Sequence, residues 1–146
     1  MNRIQAQKIV ERIQNIPLYL HAYAFHLNMR MEKILPEGLL DIASEQKLKG
    51  VKVHVLDGES QSLSCADDAR LQKFGEKAHS LGLDVHIETS ASDAETIDTA
   101  VAIALKSGAS SVRFYPRYEG HLAEVLAQVK QDIQYIKAHY QHSGLT

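Results

Sequence analysis

Four short runs of this chain carry ionisable or hydroxylated side chains two positions apart: His21 and Tyr23, Lys52 and His54, His86 and Glu88, Arg113 and Tyr115. Such a set could supply a carboxylate that takes a proton from carbon beside a carbonyl, provided its surroundings raise its pKa. It also offers imidazoles that relay protons and guanidiniums that fork onto a phosphate or carboxylate. Glu88 and His54 are the candidate acid/base groups, and His21, Asp57, His86, Arg113, Tyr115 and Arg117 the candidate substrate-binding groups. Each has a quieter reading. Arg113 and Arg117 can pair with Glu88 or Glu119, His54 and His86 can be satisfied or solvent-facing, and Asp57-Gly58 is what a turn after a strand needs. Lys52 stands near the start of its run, far from the edge where a Schiff-base amine would act. No HxH or HExxH spacing accompanies the histidines, so no metal site is read from this chain. There is likewise no phosphate-loop or dinucleotide spacing and no readable Ser/His/Asp order.

The densest stretch is SVRFYPRYEG at 111–120. Val112 and Phe114 share one parity of a strand, Arg113 and Tyr115 the other, because successive strand residues point to opposite faces. Pro116 has no N–H and ends the ladder. Arg117, Tyr118 and Glu119 then lie at the carboxyl end of a strand, the edge where α/β proteins bind ligands.

The elements that must hold these groups follow from period and punctuation. A leading helix over 2–15 places Ile4, Ile9, Val10 and Ile13 among polar residues. The first strand is LYLHAYAFH at 18–26, with Tyr19, His21, Tyr23 and Phe25 on one parity, followed by a loop over 28–33. Pro36 opens a helix with Leu39, Leu40 and Ala43 inward, and Gly50 stops it. VKVHVLDG is the second strand, its valines opposed to Lys52 and His54. Ser64 with Asp67 caps a third helix, buried through Leu71, Phe74, Ala78 and Leu81 and stopped by Gly82. DVHIETS is the third strand. Ser92 with Glu95 caps the next helix, which buries Ile97, Ala100, Val101, Ala104 and Leu105 up to Gly108. The last helix, about 121–140, has Leu122, Val125, Leu126, Val129, Ile133 and Ile136 on one face, and Leu145-Thr146 after Gly144 reads as a lead-in to another strand.

Strand and helix alternate four times with a period of about 25–35 residues, the length of one βα unit. The expected fold is α/β: a parallel sheet in order 1-2-3-4, helices on its outer face because parallel crossovers are right-handed, and a polar inner face left bare. The 146 residues read as one domain. Sixteen basic against 18 acidic residues argue against a nucleic-acid or membrane surface and leave small molecules or proteins as partners. One cysteine, Cys65, excludes an internal disulfide and makes a reducing, cytoplasmic setting the default. No apolar run approaches the roughly 20 residues that span a bilayer, and the amino terminus has no secretory pattern.

GVKVHVLDGESQSLS (50–64), LGLDVHIETS (81–90) and SGASSVRFYPRYEG (107–120) resemble the amino-terminal half of the xylose isomerase-like TIM-barrel family, the sugar phosphate isomerases and epimerases with endonuclease IV-type relatives. The resemblance runs from about Leu18 to the end of the chain. It implies a (β/α)4 half of a TIM barrel, an isomerase or epimerase acting on a sugar or sugar phosphate, and a divalent metal held largely by carboxylates and a histidine at the later strands. Those ligands have no counterpart here, so a cation belongs to a completed barrel and not to this chain alone. The alternative is a non-catalytic half-barrel that binds a small anionic ligand or a partner chain. With two open strand edges, and with Tyr19, Tyr23, Phe25 and Tyr115 expected on the inner face, the domain should be covered by a complementary carboxyl-terminal half or by a second copy of itself.

Overall fold

A computed structural model describes residues 3–14, 16–55 and 61–146. Its sheet has four parallel strands in the order β1 (Tyr19–His21), β2 (Gly50–His54), β3 (Asp84–Thr89), β4 (Ser111–Phe114). The helices are α1 (Arg3–Gln14), α2 (His26–Arg30), α3 (Pro36–Glu45), α4 (Asp68–Ser80), α5 (Ala94–Lys106) and α6 (Leu122–Tyr140). α3, α4 and α5 pack on the sheet and on each other in sequence, and α6 packs on α5, which is the layering of half a barrel. Among the described residues, no helix is long and apolar enough to cross a membrane.

The core lies between sheet and helices. Val51, Val53, Val55 and Ile87 are fully buried, and they meet Leu39, Leu40 and Phe74 from α3 and α4. Truncating one of the larger of these, Phe74→Ala, should cost about 3–5 kcal/mol through lost transfer energy and the cavity left behind. Gly50 and Gly75 are set by close approach. A Cβ on Gly50 would sit 2.1 Å from the carbonyl oxygen of Asp84, and one on Gly75 2.3 Å from that of Ser107. Gly50 therefore opens β2 instead of stopping α3, which ends at Glu45 with Gln46 as its cap and turns through Lys47 at φ 53°.

Several local expectations are corrected. The first strand is three residues long, because at His21 the chain turns into a 3-10 helix over Ala22–Phe25 and then α2. That run is alanine-rich and lacks β-branched residues, and the His21 ring caps the turn by accepting from the Tyr23 N–H. Tyr23 and Phe25 consequently leave the inner face: Tyr23 is exposed and stacked on His26, and Phe25 packs against the core. Leu18 precedes the strand and is exposed. The caps shift as well. Asp67, not Ser64, accepts from the Arg70 N–H, and Asp93, not Ser92, accepts from the Thr96 N–H, since a carboxylate three residues nearer in the first case and one in the second reaches those donors. Leu81 and Leu105 are exposed, and Ile103 takes the inward position on α5. On α6 the expected apolar stripe splits: Leu122, Leu126 and Ile133 are exposed, Val125, Val129 and Ile136 half-buried, and among its residues only Asp132 is buried. The side chains of Ile9, Val10 and Ile13, and the turn at Asp57-Gly58, lie outside the described residues.

Candidate functional site

Parallel pairing puts equivalent residues of adjacent strands about 4.8 Å apart, so the register decides which polar groups meet. His54, Glu88 and Arg113 share one row across β2, β3 and β4, and His21, Lys52 and His86 share the row below, nearer the amino ends. At the carboxyl ends a cavity of about 480 Å³ opens, within the size of small-molecule sites. His21, His54, Glu88, Tyr115 and Arg117 line it, His21 because the first strand ends there; Tyr23, Arg30 and Ser90 complete the lining. Arg30 was missed because its segment reads as a loop, and Ser90 because a serine after a strand has no distinguishing pattern.

Glu88 forms the floor and is only 1% exposed. Its Oε1 is 2.7 Å from the Arg113 guanidinium, whose plane lies over the Tyr115 ring at 4.4 Å. The ion-pair reading of Arg113 is therefore realised, and Arg113 supports the carboxylate without lining the cavity. Oε2 lies 2.7 Å from Nε2 of His21, yet no donor is aligned on it as a hydrogen bond. The tautomer of His21 follows from its other nitrogen: Nδ1 accepts from the Tyr23 backbone N–H, so in the neutral ring Nε2 carries the proton. Arg113, 3.3 Å from that same Nε2, then faces an N–H and not a lone pair. One oxygen of a buried carboxylate is thus left with an electrostatic neighbour and an incomplete hydrogen-bond shell, a costly state unless another donor arrives.

His54 brings Nε2 to 2.7 Å from the Ser90 hydroxyl, coupling the β2 and β3 ends at the cavity wall. Arg117 stands exposed on the loop after β4 and forms no ion pair among the described residues. His86 is not brought to the cavity. It sits one row below Glu88, its ring 4.6 Å from that of Tyr19, and burial, followed by the nearby Lys52 ammonium, pushes its pKa down. Asp57 lies outside the described residues. As for a metal, among the described residues no three His, Cys, Asp or Glu side chains gather to hold one, and the one carboxylate among them that lines the cavity, Glu88, faces the Arg113 guanidinium.

A second polar cluster lies behind the loops. Asp132 accepts from the Ser92 hydroxyl at 2.7 Å and the Tyr118 hydroxyl at 2.6 Å, both on Oδ2. Burial, then the bond to Asp132, raises the Tyr118 pKa and keeps it a donor.

No family model matches the chain. It is similar to a protein of Escherichia coli strain K12. That relative, named "Uncharacterized protein YihM", is 65% identical over 141 residues. The match covers 97% of this chain and 43% of YihM, so the chain spans less than half the length of the relative.

Proposed function

We propose that this chain is part of an isomerase or epimerase acting on a sugar or sugar phosphate. The observation that carries the reading is Glu88: a buried carboxylate at the carboxyl edge of a parallel sheet, with one oxygen lacking an aligned donor at a cavity of ligand size. Glu88 takes the proton from the carbon beside a substrate carbonyl, the C–H electron pair moves toward that oxygen, and His54, coupled to Ser90, supplies the proton that the oxygen gains. Return of a proton to the former carbonyl carbon, with the adjacent hydroxyl losing its proton as it becomes the new carbonyl, gives isomerisation; return to the opposite face of the original carbon, with the enol hydroxyl giving its proton back to His54, gives epimerisation. Arg117 with Arg30 on the rim, and His21 and Tyr115 on the wall, hold the hydroxyls and an anionic group. The metal expected from the resemblance would take its ligands outside this chain, and no step is assigned to it.

The reading extends to what covers the open edge of the sheet. The Thr146 N–H donates to Ser110 O at 3.2 Å and the Val112 N–H donates to Thr146 O at 3.1 Å, the pair of bonds of a parallel rung opposite Ser111. Leu145 packs on the core. This supports further parallel strand structure beside β4 in preference to a second copy, whose β1 would have to displace Thr146. A cytoplasmic location fits a chain with a single cysteine, Cys65.

The test is solvent-proton exchange into a panel of aldose and ketose phosphates in D2O, using this chain and a version extended to the length of its relative. Deuterium at the carbon beside the carbonyl, lost in Glu88→Gln, is expected from the extended protein. Binding without exchange in either protein would favour a non-catalytic, anion-binding half-barrel. Absence of both would overturn the proposal.

A further inference from the structure

We infer that Asp132 is a positioning residue for the cavity although it lies on the helix behind it. The inference rests on the reading of that cavity as a ligand site. Three observations carry it. Among the residues of α6 Asp132 alone is buried, while Leu122, Leu126 and Ile133 are exposed and Val125, Val129 and Ile136 half-buried, so the deepest contact of this helix is a polar one. Its two donors come from the two loops that build the cavity wall. Ser92, 4% exposed, follows Ser90, the partner of His54; Tyr118 follows Arg117 and Tyr115. Both hydroxyls converge on one oxygen and stand 3.2 Å from each other, so beyond the Tyr115 N–H bond to Thr89 O at the strand ends, the β3–α5 loop and the β4–α6 loop meet at this cluster. Ser92 is free for this because Asp93 caps α5 in its place.

A carboxylate accepting two hydroxyl bonds in a buried position holds those bonds more firmly than neutral acceptors do, and losing it leaves both hydroxyls short of a partner. Ser90 is held on its own strand side by His54, whereas Arg117 forms no ion pair among the described residues. The position of the Arg117 loop relative to the His54–Ser90 pair therefore leans on the Asp132 contact through Tyr118 and Ser92, and that spacing is what a bound anion would read.

The test compares the wild-type chain with Ser92→Ala/Tyr118→Phe/Asp132→Leu, which replaces the whole cluster by apolar groups so that stability is largely retained, and with Asp132→Asn, which keeps an accepting oxygen. Amide hydrogen exchange over 90–93 and 115–121 is expected to quicken about tenfold in the triple variant, the shift expected from one lost charge-assisted bond, and by less, about threefold, in Asp132→Asn, which keeps an acceptor but loses the charge. Exchange in α4 and β2 should not change. Affinity for inorganic phosphate should fall about tenfold in the triple variant with the melting temperature little altered. Unchanged loop exchange in the triple variant overturns the inference, as does unchanged phosphate affinity where the wild type binds. A wild type that binds no phosphate counts against the anion site alone, and loop exchange still decides the role of Asp132.

Discussion

Two carboxylate–guanidinium pairs, both at 2.7 Å, hold opposite sides of this molecule, and they are built differently. On the helical side, Glu37 of α3 is bound in two places by Arg70 of α4, through Nε and a second nitrogen, while Arg70 also reaches the Gln61 carbonyl and Lys77 spans Glu37 O and Asp41. Every partner there is accounted for, and both side chains keep contact with water. On the inner side, Glu88 is buried, Arg113 is half exposed, and one carboxylate oxygen has no aligned donor. A pair whose purpose is to join two helices is satisfied. A pair left incomplete at the floor of a cavity is poised for something else to complete it, and that asymmetry separates a structural ion pair from a candidate site more clearly than distance does.

The sharpest way to break the contrast is to remove each cation. Arg113→Met should cost about 3 kcal/mol, the low end for an uncompensated buried charge because water reaches the arginine, whereas Arg70→Met should cost about 1 kcal/mol, as for a well-aligned but partly exposed pair. Urea unfolding of the two variants measures both. Equal losses would erase the distinction drawn here, and Glu88→Met/Arg113→Met should recover most of the first loss.

Acid provides the next test. Burial tends to raise the Glu37 pKa, but the Arg70 hydrogen bonds and charge and the Lys77 charge outweigh it, so the folded value lies below the ordinary 4.5. A depressed carboxylate stabilises the fold above its unfolded pKa, and that contribution is lost as pH falls through the folded value. The stability curve should therefore steepen below about pH 4.5, and Glu37→Gln should flatten it.

His86, one row beneath the site, has the reverse chemistry with the same slope. Its folded pKa is lowered from 6.5 by burial and Lys52, so the neutral ring is favoured, and its contribution is complete above pH 6.5 and lost as pH falls through the folded value. Thermal melts between pH 7.5 and 5 should decline in the wild type and decline less in His86→Asn.

The smallest effect is spectroscopic. Tyr140 donates to Asp98 at 2.6 Å, a bond that leads the causes pushing its pKa up to about 12, and Tyr135 shares the same carboxylate. The phenol's contribution is present below its ordinary 10.0 and fades as pH rises toward 12. Ultraviolet titration of Asp98→Asn should show tyrosine ionising at lower pH, with little change in melting temperature. No difference would mean that this exposed clamp between α5 and α6 does not persist in solution.

Much of the frame is legible in residues alone. The alternation of Val51, Val53 and Val55 with Lys52 and His54, and of Val85 and Ile87 with His86 and Glu88, determines strand position and facing, because a period of two leaves one way to bury the apolar set. Together with the helix stripes and Gly82 and Gly108 at φ 66° and 64°, it also determines the parallel order. Local pattern reaches its limit where one contact competes with another. The first strand stops at His21 because its ring finds the Tyr23 N–H, and Ser92 abandons its cap because Asp132 lies 40 residues away in sequence and within bonding reach in space. Which member of the polar rows lines the cavity was likewise decided by tertiary structure: register sets Glu88 beside both His54 and Arg113 and drops His86 a row lower, and no spacing within a single strand encodes its neighbour's register. Composition and periodicity determine which side chains face inward. Only the closing of strands and loops around one another decides which of them meet, since that depends on groups far apart in the chain competing for the same few donors.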